Sequence, residues 1–317
     1  MGLYPEIEPY EQGMLDVGDG NRVYWETCGN PGGKPALVLH GGPGSGSSPY
    51  FRRLFDPAAY RIVLLDQRGC GRSTPHASAY DTDMGANTTA HLLADLELLR
   101  RRLGVERWLV WGLSWGSVLA LRYAQTHPGV VSELVLTGVA TGSDAEVELL
   151  TRGLGRIFPE AFERFLAPLA ESERGGSLAA AYGRLLASPD PGVRERAARA
   201  WTDWETATAP APPGSVEEFE DPVFRMGFAR TVTHYFANGH FLGEDGVVLR
   251  DAPLLAGIPG TLVQGGLDLG NLLGTVWRLH HVWPGSELVL VGGAGHDAGT
   301  EGVLEALVAA TDGYAVR

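Results

Sequence analysis

Cysteine is scarce: Cys28 and Cys70 are the only two in 317 residues. Two thiols supply neither a metal cluster nor a disulfide framework, as a reducing compartment permits, and both are read as incidental rather than catalytic. Positive charge is also short, with 25 basic against 38 acidic side chains and a formal charge of -13 at pH 7. That excess repels phosphate backbones and anionic lipid, which disfavours nucleic acid and membrane surfaces as partners and leaves small or cationic ligands. Long hydrophobic runs are missing too. The most apolar stretch, Trp108 to Leu121, is interrupted by Gly112, Ser114, Gly116 and Ser117, and falls short of the roughly 18 to 20 residues that span a bilayer. The opening MGLYPEIEPYEQG carries acids where a signal peptide has Lys or Arg followed by an apolar run, so a cytoplasmic location is expected.

What is present is an ordinary globular composition, 44% hydrophobic and 20% charged. A chain of this size buries roughly three quarters of its unfolded surface, enough for one large core with an inserted subdomain. Short runs rich in Val, Leu and Ile occur at Ala36–Leu39, Ile62–Leu65, Trp108–Trp111 and Leu134–Leu136, and read as buried parallel strands. Between the second and third, Asn87 to Leu103 places leucines at helical spacing and stops at Gly104. Alternating strand and helix predicts an open α/β sheet. From about Gly142 to Asp221 the composition turns to Ala, Glu, Arg and Leu, which predicts helices; APAPPG at Ala209–Gly214 reads as a loop or a connection between helices. Strand-like runs return at Thr261–Gln264 and Glu287–Val291, and a helix at Glu301–Ala310 closes the chain. The expected organisation is a core of residues 1–141 and 246–317, interrupted by a helical cap over 142–245.

The sharpest chemical signal is Gly112-Leu113-Ser114-Trp115-Gly116. GxSxG alone is weak, but here it follows the run WLVW and precedes the helical stretch VLALRYAQ, the strand, turn and helix that a nucleophile elbow requires. A serine hydroxyl needs a base and a group to orient that base. In the expected order Ser, Asp, His, the candidates are Asp268 in VQGGLDLG and His296 in GGAGHDAG, each on a loop just beyond a strand-like run. Asp297, Asp245 and Asp251 are rival acids, and Asp297 adjoins the histidine in sequence and would point elsewhere. Acyl transfer also needs donors for an oxyanion; the Gly42 N–H, in the HGGPG that follows the strand ALVL, and the Trp115 N–H are assigned that role. No GxGxxG follows a strand, and Gly33-Lys34 lacks the rest of a phosphate-binding loop, so no nucleotide cofactor is implied. His280 and His281 are adjacent, cannot share a helix face, and read as surface residues rather than metal ligands.

HGGPG at 40–44, DQRGCGRSTPHA at 66–77, NTT at 87–89 and GLSWGS at 112–117, followed by RIFPEAFERF, WTDWETAT and ARTVTHYF in the expected cap, resemble the prolyl aminopeptidase (proline iminopeptidase) family of α/β-hydrolases over nearly the whole chain. The resemblance implies an α/β-hydrolase fold with a helical cap and release of an N-terminal proline from short peptides, with no metal or cofactor. Ser114, Asp268 and His296 match the family's triad. Acidic cap residues hold the substrate amine in that family, and Glu205 in WTDWETAT matches one of them; as a helical residue it shares a face with Trp201. Two positions depart from the pattern: Val232 stands where the family commonly has Glu, and Thr137 where it commonly has Arg. GGLD replaces the usual GRYD and keeps the carboxylate. The leading expectation is therefore a prolyl aminopeptidase acting on small peptides. The alternative keeps the chemistry but acts on small esters, amides or lactones, and a third reading is a catalytically idle binding module.

Overall fold

The structure is a computed structural model that describes residues 2–209 and 217–315. The chain opens with β1 (Glu11–Gly18) and β2 (Asn21–Gly29), a hairpin that the apolar runs do not announce. In β1 only Val17 is buried, so this edge strand lacks the continuous hydrophobic signature of a central one. Its tight turn uses positive φ at Gly18, Asp19 and Gly20. The core continues through β3 (Lys34–Leu39), β4 (Tyr60–Leu65), α1 (Thr89–Arg102), β5 (Trp108–Leu113), α2 (Trp115–Thr126) and β6 (Val131–Thr137). These match the expected strands and helix to within a few residues.

Five helices then intervene: α3 (Asp144–Thr151), α4 (Pro159–Leu166), α5 (Leu178–Leu186), α6 (Pro191–Thr208) and α7 (Pro222–Ala237). Their starts follow from local chemistry. Ser143 and Glu146 form a capping box on α3, while Asp190 and Asp221 cap α6 and α7 ahead of a proline at the first helical position. The expected loop at Ala209–Gly214 lies, from residue 210 onward, outside the described residues. The short α8 (Val247–Arg250), then β7 (Gly260–Gly265), α9 (Leu273–Val282), β8 (Ser286–Val291) and α10 (Val303–Ala315) complete the core.

The eight strands form one sheet in the order β1-β2-β4-β3-β5-β6-β7-β8, with β2 antiparallel to both neighbours and all pairs from β4 to β8 parallel. Helices cover both faces, so alternate strand residues enter two separate cores. Leu37, Leu39, Trp108 and Val110 go to one face, and Ala36, Val38, Leu109 and Trp111 to the other. Burial on both sides is the reason these strands read as unbroken apolar runs. The inserted helices have a third core of their own, built on Phe165, Tyr182, Trp201, Trp204 and Phe228, where Phe165 stacks on Tyr182 and Trp204 with ring centroids 4.7 and 5.1 Å apart. This is the α/β-hydrolase fold with a helical cap between β6 and β7. No helix among the described residues is long and apolar enough to cross a membrane.

Candidate active site

The loops that leave β3, β5, β6, β7 and β8 emerge at the carboxyl edge of the parallel sheet, where open α/β sheets build their sites. Ser114 occupies the turn from β5 into α2 with φ 54° and ψ -121°, a conformation that side-chain-bearing residues rarely adopt. The two glycines of GxSxG make this turn possible. A Cβ at Gly112 would lie 2.4 Å from the Gly116 carbonyl oxygen, and one at Gly116 would lie 2.1 Å from the Leu39 carbonyl oxygen. The Ser114 amide donates to the Thr137 carbonyl at 3.0 Å, and the Ser117 hydroxyl donates back to the Ser114 carbonyl at 2.6 Å. The serine therefore stands on the N-terminus of α2, where the helix dipole favours developing negative charge.

His296 and Asp268 come together as the sequence order predicts. His296 Nδ1 lies 2.7 Å from Asp268 Oδ2, while Asp268 Oδ1 accepts the amides of Asn271 at 2.9 Å and Gly270 at 3.1 Å. Their loops meet because Gly265 has no side chain: a Cβ there would lie 2.1 Å from the Gly295 carbonyl oxygen. Gly138, at the end of β6, presses its bare Cα on the imidazole, and a Cβ would lie 2.8 Å from His296 Cε1. Burial alone lowers the basicity of the imidazole, but the Asp268 carboxylate outweighs it and Glu205 adds to it, so His296 is held above its ordinary value. Burial likewise disfavours the Asp268 anion, and His296 with the two loop amides overcomes it, leaving that carboxyl below its usual range. The rival acids are engaged elsewhere. Asp297 accepts from its own turn at Gly299, Asp245 accepts the Asp144 amide, and Asp251 pairs with Arg122.

Behind the serine, HGGPG is held by a buried polar hub. The Gln67 amide donates to His40 Nε2 at 3.0 Å, its side-chain amide donates to the His40 carbonyl at 3.1 Å, and the Trp115 indole donates to Gln67 Oε1 at 2.8 Å. With Nε2 accepting, the His40 proton sits on Nδ1, which donates to the Gly41 carbonyl at 2.9 Å. Asp66 fixes the far end of the loop by accepting the Ser47 amide and hydroxyl and three Arg72 N–H groups. Among the described residues neither the Gly42 nor the Trp115 amide has an acceptor.

Ser114, His296, Asp268, Gly42 and Glu205 all line one cavity of about 630 Å³ between core and cap. Glu205, on α6, faces into it and accepts from the Trp201 indole at 3.1 Å. Shielded from bulk water, its carboxyl is pushed up to about 7, with Trp201 and His296 pulling the other way. The lining also includes Glu218, ahead of α7, a residue the sequence analysis does not single out. Neither departure position opens onto the cavity: Val232 is fully buried in the cap core, and Thr137 is buried at the end of β6. Among the described residues, four carboxylates and no Lys or Arg line this space.

The alpha/beta hydrolase fold family matches residues 34–303. A probable proline iminopeptidase of Streptomyces coelicolor is 78% identical across 99% of this chain and 98% of its own length. The chain belongs to the proline iminopeptidase family of α/β-hydrolases. Proline iminopeptidases of Xylella fastidiosa strain 9a5c and of Arabidopsis thaliana are 47% and 44% identical, each over 98% of this chain and over 99% and 81% of their own. Among solved structures, the esterase RhEst1 from Rhodococcus sp. aligns over 98% of this chain and 99% of its own at TM-score 0.60 with 20% identity. VinJ aligns over the same shares at 0.64 with 19% identity. Those two likenesses concern the fold alone.

Proline iminopeptidase motifs that stand outside the cavity tie its two walls together. Arg68 grips Asp95 through two bonds of 2.7 Å, Asn87 donates to the Arg68 carbonyl at 2.9 Å, and the Tyr235 hydroxyl of α7 donates to Asn87 Oδ1 at 2.9 Å. Thr231, also on α7, packs on the bare Cα of Gly44, where a Cβ would lie 2.9 Å from the threonine Cβ. The DQRG and NTT motifs thus set where α7 sits relative to HGGPG.

Proposed function

We propose that this protein is a prolyl aminopeptidase that releases N-terminal proline from short peptides through a Ser-His-Asp triad and an acyl-enzyme. The observation that carries the reading is the 2.7 Å His296–Asp268 pair in the same cavity as Ser114 and the half-buried Glu205 carboxylate; the names of the full-length relatives supply the substrate class. In this scheme Ser114 Oγ attacks the proline carbonyl. Because Nδ1 of His296 is engaged by Asp268, Nε2 takes the serine proton. The Gly42 and Trp115 amides stabilise the oxyanion, the imidazolium returns its proton to the departing peptide amine, and water then cleaves the ester by the same route. Glu205 holds the secondary ammonium of the substrate. The scheme requires no metal or cofactor. Residues 1–141 and 246–317 act as the catalytic core, and 142–245 as the cap that closes over the substrate.

The test is hydrolysis of prolyl amides beside short-chain esters by wild type and Ser114→Ala. Wild type should cleave the prolyl amide, and the variant should lose a factor on the order of a thousand or more while remaining folded, since nucleophile and base act as a unit. Full activity in Ser114→Ala would remove the elbow from the mechanism. Good ester turnover beside feeble prolyl amide turnover would favour the esterase reading.

A further inference from the structure

We propose that Glu218 is a second cation-recognising residue of this cavity, one that favours substrates whose leaving peptide begins with a basic side chain; the proposal rests on the aminopeptidase reading. Glu218 lies on the 3-10 turn Glu217–Glu220 that leads into α7 and lines the same cavity as Ser114; its carbonyl accepts the Asp221 amide, while its carboxylate has no hydrogen-bond or ion-pair partner among the described residues. No Lys or Arg stands among the described lining residues to neutralise it. Beside it, Phe219, Phe224 and Phe228 form an apolar wall with ring centroids 5.0 to 6.0 Å apart. A carboxylate at the rim of an aromatic wall suits a Lys or Arg side chain, whose methylene stem packs on the rings while its charged end reaches the acid.

The position of Glu218 relative to Glu205 decides which part of the substrate it reads. Glu205 sits on α6 and accepts from the Trp201 indole, whereas Glu218 is an exposed residue of the turn ahead of α7, next to Phe219 of the aromatic wall. In this scheme Glu205 takes the proline ammonium, which leaves the Glu218 carboxylate without a cation. Proline has no second cation, and from an N-terminal residue the chain extends only into the leaving peptide. A basic side chain following the scissile bond is the group left for Glu218.

The experiment compares kcat/KM for C-terminally amidated prolyl-arginine, prolyl-alanine and prolyl-glutamate in wild type, Glu218→Gln and Glu218→Arg. Wild type should prefer arginine to alanine by about threefold to tenfold at low ionic strength, the scale of a partly screened charge pair, with glutamate least favoured. Salt on the order of 0.5 M should compress the preference. Glu218→Gln should bring the arginine-to-alanine ratio towards one, and Glu218→Arg should move the preference to glutamate, a reversal that misfolding cannot produce. An unchanged ratio in Glu218→Gln, or wild-type turnover of all three peptides without preference, would overturn the role of Glu218 and leave the aminopeptidase reading standing. Turnover of a short ester but of no prolyl peptide would overturn that reading, and this proposal with it.

Discussion

Replacing Glu205 by Gln keeps the shape of the side chain and removes its charge, which makes it the sharpest probe of amine recognition. Lifting a carboxyl from 4.5 to about 7 reflects about 3 kcal/mol of uncompensated desolvation. A substrate ammonium that enters the cavity relieves that burden, so loss of the anion should lower kcat/KM for a prolyl amide by about two orders of magnitude. A neutral ester has no ammonium to hold and should lose far less. The pH dependence adds an independent readout, because kcat/KM reports the free enzyme. Turnover of the prolyl amide needs Glu205 charged and His296 neutral, so activity should rise with pH around 7 more steeply than one proton allows, the two groups titrating as a coupled pair. Ester turnover needs only a neutral His296 and should rise with a single proton. In Glu205→Gln the ester limb should move to lower pH, since the variant lacks a carboxylate that helps to hold the imidazole above its ordinary value. Equal losses on both substrates with an unmoved ester limb would refute the reasoning and make Glu205 a prop for Trp201.

The remaining predictions concern the acid, the imidazole seat and the cap. Asp268→Asn should cost several orders of magnitude in kcat through the wrong histidine tautomer, whereas Asp297→Asn should stay near wild type; the reverse ranking would show that the acid is misassigned. Gly138→Ala places a methyl 2.8 Å from His296 Cε1, so kcat should fall at least about tenfold with thermal stability reduced by only a few degrees, and an unaffected kcat would show that the imidazole does not depend on this seat. Val232→Glu restores the common family residue but buries a carboxylate in the cap core. It should lower Tm by several degrees without improving peptide hydrolysis, and a gain in prolyl amide turnover at unchanged Tm would contradict the burial.

The sequence was legible wherever function and local geometry share the same residues. Gly112 and Gly116 flank Ser114 because only bare backbone fits that turn, so the elbow was readable from five letters. Chain order and the preceding strands single out Asp268 and His296, and the fold brings the two within 2.7 Å. The hairpin of β1 and β2 was missed because an edge strand with one buried residue carries no apolar run. Gly138 and Glu218 carry no local signal, because each meets its neighbour, His296 for the first and the Ser114 cavity for the second, only in the fold. Val232 and Thr137 stand out in the sequence as departures, but only the fold shows that neither lines the cavity.

The four carboxylates of the cavity also bear on what happens after the chemistry. Hydrolysis turns an uncharged acyl carbon into a new carboxylate in a space lined by Glu205, Glu218, Asp268 and Asp297 and by no fixed cation. The substrate enters as a cation, whereas the released amino acid is a zwitterion whose negative end meets like charges on several sides. A lining that favours a cationic reactant disfavours a product with a new anionic end, so accumulated free proline is expected to inhibit only weakly.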